Sequence, residues 1–473
     1  MATLADTRQA ASNENWQQIL SWGENDEFLY QSHHILKAYI AASYELSFEA
    51  GLEKAAELVL SSRWQQPHRY SFARTFGAVK RCDLAWRTIQ AGGDAAADPA
   101  FVKQVRQILA ITRDEGLRGE MKQAISRAMK GGLSIEPLVS TWEFSAKNSK
   151  SSSLGTAIAA LSPRTHPRHL AAFQSAMAEA SDALMAARRP SLREFNNVFV
   201  DRYGQIWSED GAIIKTSGKP ISSVKRQDVP HHAQAFFGIK ATRGIYHWLV
   251  DRVSSYAWMR DGDHRDFHIL LSDQAPAFEA ETLKLLGLSD QVANVGDAAF
   301  VEKLIIPRIG FAGLMYWDQV APVFNRLKHI SNTIAKTHSL EPYDKIYISR
   351  ADAKRRTLVN EKQVESALSE NGFNIVTFTG MPLWQQFFIA SNAREIVGPH
   401  GAGLSHIILC NPGTKVSEIL PIKDGTYSLR FNYARLCLAR GLAYQAWLEP
   451  QLGEGDSWSV DAAAFLEFLR ARG

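Results

Sequence analysis

The chain has 473 residues, 45% of them hydrophobic, which predicts a globular protein of two or three domains. Its 53 basic and 49 acidic residues leave a formal charge of only +4, so the composition does not favour nucleic-acid binding. The sequence pI of about 8.8 agrees instead with an anionic ligand or surface.

Neither the cysteines nor the N-terminus indicates export. Cys82, Cys410 and Cys437 lie far apart in apolar or helical surroundings, and we interpret them as reduced core thiols. The N-terminus has no basic segment followed by an apolar one, and no apolar run reaches the length of a membrane span. We predict a cytoplasmic protein without a transmembrane segment, and peripheral attachment to the inner face of the membrane stays open.

Residues 12–130 carry apolar side chains at helical spacing, interrupted by short polar breaks. Small residues such as Ala55 and Ala85 stand where paired helices would cross closely. This pattern is similar to tetratricopeptide-type repeats, although its period is irregular. We predict an α-helical repeat domain over residues 1–145, which is either a platform for a protein partner or an extension that stabilises the next domain.

The following segment changes composition. Residues 145–162 are small and polar, and prolines follow them, which predicts a linker or a mobile active-site loop. An alanine-rich helical pattern over 168–188 stops at Pro190. Residues 146–190 are therefore predicted to be a linker and one helix.

The rest of the chain is predicted to form sheets. Apolar and polar residues alternate around turn signals at Gly204 and Gly211, as in a β-hairpin or meander. Strand-length apolar runs then alternate with helical segments, which is typical of a βαβ series and a mostly parallel sheet. A long helix at about 317–335 precedes a second such series. We predict an α/β architecture with two Rossmann-type domains, over residues 191–335 and 336–473.

The stretch 394–421 has the form of a strand, a tight loop and a helix start. Glycines in the loop allow close backbone approach to a ligand, and the helix N–H groups that follow favour an anion such as a diphosphate. Glu418 closes the next strand-like run, where a carboxylate is well placed to accept hydrogen bonds from ribose hydroxyls. An ordinary strand-to-helix turn is the alternative. The candidate loop residues are His400, Gly401, Ala402 and Gly403.

Three arginines form a second candidate anion site. Arg350 ends the strand that begins at about residue 345, and Arg355 and Arg356 precede a helix that starts near Asn360. Asn360 and Gln363 have the spacing of a capping box. Guanidinium groups and helix N–H donors can therefore converge on one diphosphate without a metal, unless the arginines are merely solvated.

His247 and Asp251 are four residues apart, which places both side chains on one face of a helix. Either can act as a general base once its neighbours tune its pKa, and we favour Asp251 with His247 beside it. In the structural alternative, Asp251 pairs with Arg252 or Arg243, and His247 packs on Trp248.

The remaining histidines do not indicate a metal site. His231 and His232 are adjacent, and His264 and His268 are four residues apart. No acidic or thiol ligands stand at a matching spacing, so we expect no bound metal.

One set of residues stands in a defined order and spacing through the C-terminal part of the chain. It comprises Arg350, Arg355, Arg356, Asn360, Glu361, Gly372, Phe373, Gln385, Ala393, HGAGL at 400–404 and Glu418, with IYHWLVDRV at 245–253 and LLGL at 285–288 before them. With this set the chain strongly resembles glycosyltransferase family 61, and the resemblance extends over roughly residues 190–450. One position departs from it, since many members have a basic residue where Thr357 stands, which leaves open which arginine binds phosphate.

This resemblance implies a GT-B-like pair of Rossmann-type domains that face a cleft. It also implies inverting sugar transfer from a nucleotide-sugar donor, without a metal or other cofactor. The C-terminal domain would bind the donor, and the middle domain would hold the acceptor and the base.

Two hypotheses of different classes follow. The first is an inverting, metal-independent hexosyl- or pentosyltransferase that moves a sugar from a nucleotide-sugar donor, with UDP as the first candidate, to a polysaccharide or glycoconjugate. The alternative is a non-catalytic scaffold whose helical repeats bind a partner protein, with a GT-B-like part that is structural or only senses nucleotides.

Overall fold

The computed structural model describes residues 2–61, 63–91, 99–128, 138–143, 153–187, 190–211, 213–239, 244–257, 259, 267–308, 313–353, 357–422, 431–451 and 457–471.

The first part of the chain is helical, as the apolar periodicity predicts. Several helices begin at a side chain that accepts a backbone N–H, such as Thr3 and Ser32. Buried residues of this region form a hydrophobic cluster of their own, which includes Leu36, Phe76 and Trp86. The described helices are α1 (Leu4–Ser12), α2 (Trp16–Trp22), α3 (Asp26–Tyr30), α4 (His33–Glu45), α5 (Glu49–Leu60), α6 (Gln66–Ala78), α7 (Cys82–Gln90), α8 (Pro99–Leu109) and α9 (Glu115–Ala128).

Among the described residues, polar contacts and the packing of Ile213 tie this helical part to the rest of the chain. Glu14 forms an ion pair with Arg168, whose guanidinium lies over the Trp16 ring at 4.8 Å from its centroid. Arg168 begins helix α10 (Arg168–Met185), which confirms the helix predicted before Pro190.

The first sheet contains antiparallel and parallel strands. Its order is β5-β4-β3-β9-β6-β7-β8, with β1 also paired to β3. The pairs that involve β3 and the pair of β4 with β5 are antiparallel, whereas the pairs β9-β6, β6-β7 and β7-β8 are parallel. The strands are β1 (Leu138–Glu143), β3 (Ser191–Val200), β4 (Ile206–Ser208), β5 (Ile213–Lys215), β6 (His231–Phe237), β7 (His268–Ser272), β8 (Val292–Val295) and β9 (Ala299–Arg308).

This sheet confirms the meander around Gly204 and Gly211 but corrects two expectations. It is mixed rather than mostly parallel, because the long strand β9 pairs with β3 on one side and β6 on the other. It also includes β1, whose residues fall inside the segment predicted to be purely helical.

The second sheet is parallel in all its described pairs. Its order is β11-β10-β12-β13-β14-β2. Five strands follow the predicted βαβ series, namely β10 (Lys345–Ile348), β11 (Asn374–Val376), β12 (Glu395–Pro399), β13 (Lys415–Ile422) and β14 (Ala443–Pro450).

The sixth strand, β2 (Thr156–Leu161), lies in the segment predicted to be a linker or loop. It pairs with β14 at the edge of the sheet. Just beyond it, Ser162 and Arg164 bond to the buried carboxylate of Glu449. This part of the predicted linker is therefore a fixed element of the second sheet.

Helices cover both sheets, and one large cluster of buried side chains extends across them. It includes Trp248, Leu271, Phe324, Phe387 and Ile407. The helices are α11 (Ile245–Asp251), α12 (Ala277–Leu286), α13 (Trp317–Thr337), α14 (Glu361–Ser369), α15 (Leu383–Asn392), α16 (Asn432–Arg440) and α17 (Ala462–Arg470).

The predicted capping box at Asn360 is not formed, although α14 does begin at the next residue. The Asn360 amide exchanges two hydrogen bonds with the backbone of Val460, at 2.8 and 3.0 Å. Its side chain thus joins the start of α14 to the C-terminal segment instead of capping the helix.

Across the described ranges, every helix is too short or too polar to cross a membrane.

Candidate functional site

The HGAGL segment turns away from the sheet directly after β12. His400 still pairs with the sheet, since its N–H donates to the carbonyl of Ile419 at 2.9 Å. A 3-10 helix, Ala402–Leu409, follows at once. The segment therefore lies at the carboxyl edge of the parallel sheet, the edge at which open α/β sheets bind ligands.

The imidazole of His400 is held from behind by a buried carboxylate. Its Nδ1 is hydrogen-bonded to Oε1 of Glu418, and the Tyr444 hydroxyl donates to Oε2 of Glu418 at 2.5 Å. Burial raises the pKa of Tyr444, which keeps its hydroxyl protonated and able to donate. The Nδ1 contact directs the opposite ring nitrogen, Nε2, away from Glu418.

This geometry corrects the expectation for Glu418. Strand β13 continues to Ile422, so Glu418 lies inside the strand rather than at its end. Its side chain is 0% exposed, and both oxygens already accept hydrogen bonds from protein groups. The Glu418 carboxylate therefore lies buried behind His400, in contact with its ring and with the Tyr444 hydroxyl.

The two glycines of the loop leave room for neighbouring side chains. A Cβ on Gly401 would lie 2.8 Å from both Cδ and Cζ of Arg350, and nearer still to Nη1. A Cβ on Gly403 would lie 2.6 Å from Cγ2 of Ile348. Gly401 thus allows the Arg350 side chain to lie directly against the HGAGL backbone.

Arg350 follows β10 at the same carboxyl edge. Its backbone N–H donates to Oε1 of Glu361 at 2.6 Å, and the Tyr347 hydroxyl donates to the same oxygen at 2.9 Å. The two contacts anchor the start of the basic loop to helix α14. Arg355 and Arg356 lie outside the described residues.

His247 and Asp251 share one face of α11, as predicted. Nδ1 of His247 lies 3.0 Å from Oδ2 of Asp251, and the two side chains are 40% and 24% exposed. Arg252 instead directs Nη2 to the carbonyl of Ile239. His247 packs edge-on against Tyr246 rather than on Trp248 as the structural alternative had it.

Two tyrosines connect this pair to the HGAGL segment. The Tyr246 ring contacts the Tyr433 ring at 5.6 Å between centroids, and the Tyr433 ring contacts His400 at 5.3 Å. The Tyr433 hydroxyl donates to the carbonyl of Gly401 at 2.5 Å. Residues that are more than 150 positions apart therefore meet in one site.

Another histidine of this region is structural. His406 donates from Nδ1 to the carbonyl of Gly403 at 2.9 Å and packs between Phe378 and Phe387. Burial lowers the pKa of His406 to about 4, so its ring is neutral near neutral pH. It fixes the first turn of the 3-10 helix.

Among the described residues, no three side chains of the kinds that bind metals converge on one point. His232 and His268 do meet, with 3.2 Å between their Nδ1 atoms. His264 is not among the described residues.

An open polar cavity of about 740 Å³ lies at the opposite edge of the second sheet. It is lined by residues at the amino ends of three strands, among them Lys345, Glu395 and Lys415. The candidate side chains lie at the carboxyl ends of those strands, so the cavity is separate from the candidate site.

A family of known proteins matches the part of the chain that contains these residues. Residues 245–417 match the sequence model of the family Glycosyltransferase 61. This part of the chain is therefore similar to members of that family. The matched range begins at the helix that carries His247 and Asp251, and it includes Arg350 and the HGAGL segment.

A curated relative also matches. The chain is 24% identical over 194 residues to a beta-1,2-xylosyltransferase of Arabidopsis thaliana. The alignment covers 35% of this chain and 36% of that protein, so the chain spans about a third of the length of the relative.

Sequence reasoning missed Tyr246, Tyr433 and Tyr444. The tyrosines at 433 and 444 stand in the helix and strand that close the chain, and their spacing carries no chemical motif. Only the parallel pairing of β13 with β14 brings Tyr444 to Glu418.

Proposed function

We propose that this protein is a glycosyltransferase that moves a sugar from a nucleotide-sugar donor to a hydroxyl of a glycan or glycoconjugate, with inversion and without a metal. One observation carries the proposal. The HGAGL segment, with Arg350 against Gly401 and His400 held by Glu418, is linked through the rings of Tyr433 and Tyr246 to the helix that carries His247 and Asp251.

The donor diphosphate binds at the carboxyl edge of the second sheet. Arg350 contributes positive charge, and Arg355 and Arg356, which follow closely in the sequence, contribute more. The backbone N–H groups of Gly401, Ala402 and Gly403 supply neutral donors, and the imidazolium form of His400, with Nδ1 bonded to Glu418, can donate from Nε2. The two sheets act as the two halves of a GT-B-like enzyme, with the acceptor on the side of the first sheet.

His247 is the general base, and Asp251 orients it. The 3.0 Å contact between His247 Nδ1 and Asp251 Oδ2 directs Nε2 of His247 outward, and His247 is the more exposed of the two side chains. This geometry favours His247 over Asp251, which the sequence alone favoured. Asp251 also stabilises the imidazolium that forms when His247 takes a proton.

The reaction balances with these groups alone. Nε2 of His247 takes the proton of the acceptor hydroxyl while its oxygen attacks the anomeric carbon of the donor sugar. The bond from that carbon to the phosphate oxygen breaks, and the nucleoside diphosphate leaves with the electron pair. Arginine and N–H donors fixed around the leaving group stabilise its charge as it develops.

The helical part of the chain would hold a protein partner or the enzyme's assembly site, and we propose a cytoplasmic location that can include the inner face of a membrane. The name of the plant relative suggests a pentose as the first sugar to test, with UDP as its nucleotide.

A thermal-shift panel tests this function. The chain is heated with UDP, GDP, CMP, UDP-xylose, UDP-glucose and UDP-N-acetylglucosamine in separate samples. At least one nucleotide should raise the melting temperature of the wild type and not that of Arg350→Ala. If every compound leaves the wild type unchanged, the non-catalytic scaffold becomes the better description.

A further inference from the structure

Tyr433 occupies the centre of the site without belonging to any motif. It is 4% exposed, its hydroxyl donates to the Gly401 carbonyl, and its ring lies against His400. Its opposite neighbour, Tyr246, is 9% exposed and comes from the helix that carries His247. Tyr246, Tyr433 and His400 thus form a continuous row of contacts from the helix that carries His247 to the HGAGL segment.

The hydrogen bond from the Tyr433 hydroxyl restrains the backbone at Gly401. Gly401 has an extended backbone with φ of −175° and no side chain to restrain it. The position that a Cβ would take faces Arg350, and the Gly401 carbonyl is held by Tyr433. Removing the hydroxyl leaves a buried carbonyl without that donor, and the loop gains freedom at the residue against which Arg350 packs.

The tyrosine at 246 supports this arrangement from the other side. Its hydroxyl reaches the carbonyl of Asn432 at 3.4 Å, one residue before Tyr433. Burial raises the pKa of Tyr246, so this hydroxyl remains a donor. The ring and the hydroxyl of Tyr246 thus both restrain the start of α16, on which Tyr433 lies.

We propose that Tyr433 is a positioning residue that fixes the HGAGL backbone for nucleotide binding, and that Tyr246 supports it from the helix of the base. This inference rests on the proposed function. Neither side chain contacts the nucleotide, because both are buried behind the loop. Their effect is transmitted through the Gly401 carbonyl and the His400 ring.

The test measures the dissociation constant of UDP by calorimetry on the full chain, well below the melting temperature of every variant. Tyr433→Phe should weaken UDP binding about tenfold, since one hydrogen bond at a buried carbonyl is lost. Tyr246→Leu should weaken it about threefold. Both changes act through one loop, so the fold loss of UDP affinity in the double variant should be smaller than the product of the two single losses.

Tyr256→Phe is the matched control. Its hydroxyl is buried in the same hydrophobic cluster and has no hydrogen-bond partner among the described residues. The Tyr256→Phe variant should bind UDP with a dissociation constant within about twofold of that of the wild type.

Amide hydrogen exchange gives a second measurement. In Tyr433→Phe, exchange of residues 400–409 should become faster, while exchange of strand β10 stays unchanged.

The outcomes separate the two proposals. A folded Tyr433→Phe that binds UDP within twofold of the wild type overturns the inference and leaves the proposed function intact. An equal loss in Tyr256→Phe overturns it too, because the effect would then come from general packing. If the wild type binds none of UDP, GDP and CMP, the proposed function fails and the inference fails with it.

Discussion

Gly401→Ala offers a direct perturbation of Arg350 from a neighbouring residue. The backbone of Gly401 is extended, so an alanine fits the main chain without strain. Its Cβ, however, would lie 2.8 Å from Cδ and Cζ of Arg350, which is closer than carbon atoms approach in proteins. The guanidinium must swing aside, and because it ends a flexible side chain, the fold should lose little stability.

The expected loss of UDP affinity follows from the hydrogen bond that the displaced Arg350 can no longer make. A hydrogen bond to a charged group contributes about 1.5–3 kcal/mol, so losing one between Arg350 and a phosphate should weaken UDP binding by about 10-fold to 150-fold. Arg350→Ala should weaken binding by a similar factor. If Gly401→Ala acts through Arg350, the double variant should be no weaker than Arg350→Ala alone.

Calorimetric titration of UDP into the four proteins measures this cycle, and thermal unfolding checks that each is folded. Gly119→Ala is the control, because a Cβ at Gly119 would have no neighbouring atom within 4 Å. UDP affinity in Gly401→Ala within twofold of the wild type would refute the placement of Arg350 at the phosphates. The same placement would be refuted if the fold loss of UDP affinity in the double variant equalled the product of the two single losses.

Three further predictions follow from the geometry. His247→Ala should lower turnover by about 10²–10⁴ with donor affinity nearly unchanged, and Asp251→Asn should lower it less; the reverse order in steady-state rates would make Asp251 the base. Turnover should persist in excess EDTA, and a loss that manganese restores would contradict metal-independent charge stabilisation. A truncated chain of residues 131–473 should fold and bind UDP. A shorter chain of residues 146–473 lacks β1 and should melt at a lower temperature than the 131–473 chain, and equal melting temperatures of the two would contradict the role of that strand.

The local elements were predictable because their signals are local. Apolar runs of strand length at 269–271 and 303–306 became β7 and β9, and the long helix near 317–335 became α13. The pairing of His247 with Asp251 followed from helical spacing alone. Such features depend only on residues within a few positions of each other.

The errors arose where a distant partner decides the structure. Residues 156–161 are mostly apolar but directly follow a small, polar stretch, and they form a strand because β14, almost 290 positions later, offers an open edge. Glu418 has the sequence position of a ribose ligand, but His400 and Tyr444 occupy its oxygens. Asn360 and Gln363 have the spacing of a capping box, but the Asn360 amide is hydrogen-bonded to the backbone of Val460.

The domain limits and the repeat character of the helical part remain predictions. The separate hydrophobic cluster that includes Leu36 and Trp86 is consistent with an independent helical unit. The contacts between the described residues of this unit and the rest of the chain include those of Glu14 and Trp16 with Arg168 and the packing of Ile213 against the helical cluster, and they should restrain this unit without merging the two cores.

Anomer-resolved turnover tests the central claim most directly. The wild type and His247→Ala are incubated with each nucleotide sugar and a mixed oligosaccharide acceptor pool, and NMR follows nucleoside diphosphate release and the configuration of the new glycosidic bond. We predict that at least one donor is consumed by the wild type at least about 100 times faster than by the variant, with inversion at the anomeric carbon. Equal rates in the two proteins, or a product that retains the donor's configuration, would contradict the account.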